Sequence, residues 1–188
     1  MKRKSKGFTL MEVMVASAIT ALVVAAAGPA LFQVMTGTER NNNRVTALRQ
    51  VQEAGTWLSR DALQALTLDV PGGNGFPLTL TWGDLFPQDD KGKTIYVSTD
   101  HTVIYAVNGN TLQRQDTLVT TIYDDTGQQQ GAPTTTSTTT LVAQYLSAIG
   151  ASWDAGSLVL TVTSQFPVTS GRYRAEETRT YEVRPRPG

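Results

Sequence analysis

Gly7-Phe8-Thr9-Leu10-Met11-Glu12-Val13-Met14-Val15-Ala16 opens the informative part of this chain, and an almost uniformly apolar run carries on from it to Phe32. From Val13 to Phe32 the run is about twenty residues, long enough to cross ~30 Å of hydrocarbon as a helix. Ahead of it, Lys2, Arg3, Lys4 and Lys6 crowd the first six positions. Basic residues on that side keep the tip in the cytoplasm and send the rest of the chain outward. Glu12 breaks the apolar pattern. A carboxylate just inside a membrane-bound stretch is costly and usually has a partner.

A cleaved secretory signal and a plain signal anchor are two readings of this segment. Small residues at Ala25-Ala26-Ala27 and Gly28 would suit signal cleavage, but the run is longer than an ordinary signal core. Neither reading explains Glu12. Pro29 follows Gly28 inside the run; it removes a backbone donor and disfavours a straight helix, as a tolerated membrane kink would.

Beyond the run, the polar stretch Thr36-Gly37-Thr38-Glu39-Arg40-Asn41-Asn42-Asn43 is a place for the helix to soften. Residues 44–66 read as an amphipathic helix, with Val45, Leu48, Val51, Gly55, Leu58, Ala62 and Leu66 at three- and four-residue spacing. Asp69-Val70-Pro71-Gly72-Gly73-Asn74-Gly75 ends it. From Pro77 onward the period changes to two. Residues 78–82, 94–98, 102–107, 111–114, 157–163 and 179–183 read as strands, and Asn108-Gly109-Asn110 is a hairpin signal. Val142 to Ile149 fits a strand or a short helix. Gln128 to Pro133 and the Thr-rich run 134–140 read as one exposed low-complexity loop. The tail Arg184-Pro185-Arg186-Pro187-Gly188 is expected to fray. The fold class is therefore α+β: a long amino-terminal helix, membrane-spanning in its first half and amphipathic in its second, packed on an antiparallel β-sheet domain. The expected divisions are 1–7, 8–35, 36–70 and 71–188, with the Thr-rich loop near 128–140.

Composition narrows the function. The chain has 188 residues, 40% apolar and 17% charged, which suits one globular body with an appendage. Without its first seven residues it carries 12 basic and 16 acidic side chains, a poor balance for binding nucleic acid. It has no cysteine, which excludes disulfides, thiol catalysis and thiolate metal sites. His101 is the only histidine, and the simplest place for it is a surface turn. Asp89-Asp90 and Asp124-Asp125 lack the ligand spacing of a calcium loop, so neither a metal nor any other cofactor is expected. No partners for a Ser-His-Asp triad and no glycine-rich phosphate loop stand out. Trp57, Trp82 and Trp153 lie in or beside patterned elements and read as core.

The segment from Gly7 to Ala16, with the basic tip before it and the apolar run after it, resembles the amino-terminal signature of type IV pilins and pseudopilins. The resemblance implies that a prepilin peptidase cuts between Gly7 and Phe8 and methylates the new amine of Phe8. The helix then stays with the mature chain. It implies a filament-assembly role for Glu12, and at Gly28 and Pro29 a region of helix that loosens in the filament. A looser resemblance, over Gln50 to Ala65 and the pair Val103-Ile104-Tyr105 with Leu112-Gln113-Arg114, is to minor pilins of the W type and J-type pseudopilins of type II secretion. The expected function is then structural, with no enzymatic activity: a minor pilin or pseudopilin that enters a filament and initiates or caps it. The partners implied are other pilins, the prepilin peptidase, the inner-membrane assembly platform and membrane lipid. The localisation implied is a single-pass cytoplasmic-membrane protein with its body outside, and then the filament at the cell surface. The competing reading is a signal-anchored extracytoplasmic β-domain that binds a ligand and joins no filament.

Overall fold

A computed structural model describes residues 7–90, 93–168 and 173–185. The basic tip 1–6, the last three residues of the tail and the side chain of Asp90 lie outside the described residues. The element order is α1 (Leu10–Gln64), β1 (Thr67–Asp69), β2 (Leu78–Asp90), β3 (Lys93–Asn108), β4 (Thr111–Tyr123), β5 (Thr134–Ala143), β6 (Leu146–Asp154), β7 (Ser157–Phe166) and β8 (Ala175–Val183). The chain divides into two units, 1–42 and 43–188.

In the second unit, α1 contributes one buried stripe: Asn43, Ala47, Val51, Ala54, Gly55, Leu58, Asp61 and Ala62. These recur at three- and four-residue spacing, which places them on one helix face. The stripe shares Val51, Gly55, Leu58 and Ala62 with the sequence expectation but is rotated from it. Val45 and Leu66 are exposed, and Ala47, Ala54 and Asp61 are buried instead. Size explains the shift. Alanine and glycine let a sheet approach the helix axis closely, whereas a reading by hydrophobicity favours the larger side chains.

Two antiparallel sheets pack with that stripe rather than the single sheet expected. One is five-stranded in the order β1-β2-β3-β4-β5, and the other three-stranded in the order β6-β7-β8. The core draws on all three pieces, with Leu58 and Val51 from α1, Leu78, Leu80, Val103, Tyr105 and Leu112 from the larger sheet, and Leu158, Leu160 and Val162 from the smaller. Antiparallel sheets with one face on a core show this alternation of buried and exposed positions. The expected hairpin is present, with Asn108 paired to Thr111 and Gly109 at φ 59°.

The polar stretch 36–43 is helical throughout, so the expected long helix is continuous there, and four other expectations are corrected. There Thr38 Oγ1 donates to the Val34 carbonyl at 2.8 Å, and Asn43 Nδ2 donates to the Tyr173 carbonyl at 2.9 Å. The helix stops at Gln64, and Thr67–Asp69 is already a strand paired with β2. The Thr-rich run 134–140 is a strand, leaving only the residues before it as loop. Threonine is β-branched and favours extended backbone, which outweighs its polarity. His101 lies in the middle of β3, paired with Trp82 and Leu118, and not in a turn. Trp153 is half exposed, so only Trp57 and Trp82 pack against the core as expected. The open choice at 142–149 resolves to strand on both sides of Gln144 and Tyr145.

Candidate functional site

The first turn of α1 is closed by a reciprocal cap. Thr9 precedes the helix, and Glu12 is its third helical residue. The Thr9 backbone N–H donates to Glu12 Oε2 at 2.9 Å, and the Thr9 hydroxyl donates to the same oxygen at 3.1 Å. In return, Thr9 Oγ1 accepts the Glu12 backbone N–H at 3.3 Å. This is a capping box, which satisfies donors that every helix start leaves open. The Thr-x-x-Glu spacing of Thr9 and Glu12 is the sequence signal for this cap.

After the cap, the surface of the helix is apolar and uncovered. Phe8, Leu10, Met11, Val13, Ile19, Leu22, Val24, Leu31 and Phe32 are all exposed. The apolar window has a mean hydropathy of 2.1, and none of it is buried inside the protein. The hydroxyls in the run find acceptors in the helix itself: Ser17 Oγ donates to Met14 O at 2.9 Å and Thr20 Oγ1 to Ala16 O at 2.8 Å. Those groups therefore ask nothing of a lipid environment, where an unpaired donor is expensive. Glu12 is the one charged side chain between Phe8 and Thr38. Gly28 and Pro29 lie within the helix, and a Cβ added at Gly28 would meet nothing within 4 Å.

A family model described as the Prokaryotic N-terminal methylation motif matches residues 2–28. The protein is pilin-like: its amino terminus is a class III prepilin signal of the type IV pilin and pseudopilin family. No curated protein and no solved structure matches the chain. The prepilin motif implies processing by prepilin peptidase, anchoring in the inner membrane and assembly with pilins, and proteins of that family are structural and not catalytic.

The body of this pilin-like chain holds a second polar constellation that the sequence reading did not find. Asp61, 1% exposed, sits on the buried stripe of α1. Its Oδ2 accepts the Tyr105 hydroxyl at 2.7 Å and Arg114 Nε at 2.6 Å. Arg114 also donates through Nη1 to Asp116 Oδ2 at 3.1 Å. His101 Nδ1 stands 3.5 Å from Asp116 Oδ1, and its ring stacks on Trp82 with centroids 4.8 Å apart. The Arg60 guanidinium lies 4.2 Å from the Trp57 ring centroid. Register brings these groups together: Tyr105 pairs with Arg114, Val103 with Asp116, and Trp82 with His101. Burial, and then the Asp61 carboxylate, push the Tyr105 hydroxyl well above its ordinary range. Against desolvation by burial, the hydrogen bond to Asp61 and the charge of that carboxylate hold the Arg114 guanidinium firmly protonated.

A cleft of about 550 Å³ opens beside this cluster, lined by Arg60, Gln64, Trp82, Asp84 and His101 among others. At its floor Asp61 and Arg114 are committed to each other and to their neighbours, while His101 Nδ1 and Asp116 Oδ1 are buried without a hydrogen-bond partner. The buried carboxylate has two donors, and the guanidinium has two carboxylates. What the arrangement does chemically is tie the helix to the sheet. The signal for it was parity: Asp61 falls three residues after Leu58, and Arg114 and Asp116 fall at the inward spacing set by Leu112.

Asp124 serves its own loop. Its Oδ1 accepts the Thr126 hydroxyl and the backbone N–H groups of Thr126 and Gln128, and its Oδ2 accepts Gln130 Nε2. The Thr126 hydroxyl, followed by the Gln128 N–H, holds its carboxyl below the usual range. Asp89 is in β2 opposite Thr94. Among the described residues, no group of three or more metal-ligating side chains occurs.

Proposed function

We propose that this chain is a minor pilin or pseudopilin: a structural subunit of a type IV pilus-like or type II secretion filament. Cleavage falls between Gly7 and Phe8, and the new amine of Phe8 is methylated. The observation that carries this reading is the uncovered apolar helix surface headed by a single carboxylate. A helix that is apolar all round must be buried by lipid or by other helices. An isolated membrane anchor explains the apolar surface, and the cap at Thr9 gives Glu12 a local role; assembly adds a partner for its charge.

Glu12 is the group through which an incoming subunit registers its depth against a neighbour. Both Thr9 donors go to Oε2, which leaves Oε1 to accept the terminal ammonium of a neighbouring subunit. A carboxylate has room for several donors. Charge pairing in a low-dielectric surrounding is strong when both partners are positioned. Gly28 and Pro29 are the place where the helix loosens on assembly, because Pro29 removes one donor from the ladder. A rare subunit that starts or caps the filament suits this role, since the body carries no cysteine and so none of the disulfide-closed loop found in many major pilins. The boundaries that go with this reading are a leader 1–7, a filament-core helix 8–35, an amphipathic continuation and a β-rich body.

The test is co-purification. In cells that assemble filaments, the processed chain should appear with sheared filaments at low abundance relative to the main subunit. Complete retention in the membrane, with filaments assembled normally, would support the signal-anchored binding protein instead.

A further inference from the structure

The Thr-rich run forms the outer strand of the five-stranded sheet, and its edge differs from every other sheet edge among the described residues. An open edge presents unpaired backbone donors and acceptors, and proteins blunt such edges with short strands, charges, proline or covering loops. β1 is blunted by length, at three residues. The edge of β6 is occupied: Leu146 N–H donates to Asn110 O at 2.9 Å and Ala151 N–H to Asn74 O at 2.8 Å. β8 is guarded by Glu176, Glu177, Arg179 and Glu182. β5 has no such device between Thr134 and Thr140: every residue there is Thr or Ser, and none is buried. The register shift between β4 and β5 falls at Leu112/Gln113, outside this stretch, so 134–140 runs regularly against 114–120.

The sequence of the run also bears on the partner. Thr134-Thr135-Thr136-Ser137-Thr138-Thr139-Thr140 reads the same in both directions about Ser137. Two such strands laid antiparallel on a two-fold axis at Ser137 place 134 opposite 140, 135 opposite 139 and 136 opposite 138. Every cross-strand pair is then Thr with Thr, and the centre is Ser with Ser. Hydroxyl pairs of this kind already join neighbouring strands within each sheet, between Thr161 and Thr180 at 3.2 Å, Thr163 and Thr178 at 3.0 Å, and Ser137 and Thr117 at 3.3 Å. A foreign strand with one apolar face would leave that face in water, because β5 offers hydroxyls on both faces over this stretch. An isologous contact requires a patch complementary to itself, and this strand is one.

We propose that the free edge of β5 pairs antiparallel with β5 of a second copy of this chain, on a two-fold axis at Ser137, joining two five-stranded sheets. The pairing uses backbone hydrogen bonds for affinity and the symmetric Thr ladder for register. It stands apart from the amino-terminal assembly described above and uses none of its residues.

The chain has no cysteine, so one introduced thiol is unambiguous. Ser137→Cys in the full-length protein, in native membranes under mild oxidation, should give a disulfide-linked dimer. Directly opposed residues of an antiparallel pair lie within disulfide reach. Thr134→Cys should give roughly tenfold less dimer, because its own counterpart would be about 20 Å away along the strand. Differently tagged copies bearing Thr134→Cys and Thr140→Cys should cross-link to each other. Adding Thr138→Lys to Ser137→Cys should suppress the dimer, since it places a charge on the edge. Absence of a Ser137→Cys dimer, or equal yields at 134 and 137, would overturn the proposal: the first means no pairing, the second mere collision.

Discussion

Glu12 has two roles that one substitution cannot separate, and a pair of substitutions can. Its carboxylate caps the first turn through Thr9, and its charge is the feature proposed to register an incoming subunit. Glutamine keeps a capping oxygen and loses the charge, whereas valine loses both; a helix cap of this kind contributes about 1 kcal/mol. Glu12→Gln and Glu12→Val should both insert and be cut as wild type is, and both should be missing from sheared filaments. Wild-type incorporation of Glu12→Gln alone would reduce Glu12 to a cap. In the body, Asp61 is the residue whose loss should cost most. Asp61→Ala leaves Arg114, nearly buried, without its main partner, and breaking a buried pair in this way costs about 3–5 kcal/mol. Tyr105 adds a pH dependence. With its folded value raised, the unfolded chain releases this proton first. Its contribution to stability is therefore complete below about pH 10 and falls as the pH rises beyond that. Tyr105→Phe should lower stability by about 1 kcal/mol at neutral pH and remove this part of the alkaline decline. Denaturant unfolding at neutral and alkaline pH checks both variants.

Gly55 makes room on α1 for a side chain of the smaller sheet. A Cβ at Gly55 would run into the ring of Tyr181 on β8, whose hydroxyl donates to the Val51 carbonyl at 3.1 Å. Gly55→Ala should therefore destabilise the body by about 1–3 kcal/mol, against the gain alanine gives on an open helix face. A denaturant midpoint equal to wild type would mean the ring moves aside freely. Much of this helix was legible in the sequence: Val51, Gly55, Leu58 and Ala62 repeat at helical spacing, and the hairpin at Gly109 carries its own turn signal. Two things were hidden. The rotation of the buried stripe toward Ala47, Ala54 and Asp61 follows from how near the sheets come, which periodicity does not report. The strand at 134–143 has no alternation of apolar and polar residues to give it away, because neither face of its first seven residues is buried. The polar cluster needed register: Tyr105 and Arg114 become neighbours only once β3 and β4 are paired.

At the scale of the molecule, residues 43–188 form a unit with its own core, drawn from the second part of α1 and both sheets. None of the apolar window of the amino-terminal helix is buried within the protein. A chain beginning near Glu39 should accordingly be soluble and unfold in one cooperative transition, followed by circular dichroism or intrinsic fluorescence. Aggregation without a transition would mean that the body depends on the segment before it. Everything proposed for the amino terminus rests on what processing leaves behind. A secretory signal would be lost near Ala27 or Gly28, a plain anchor would keep its basic tip, and a prepilin would begin at Phe8. The most direct measurement is intact mass and amino-terminal sequencing of the protein extracted from membranes. The expected result is a chain starting at methylated Phe8 with Glu12 and the apolar run retained; a terminus at Met1 or after Ala27 or Gly28 would contradict it.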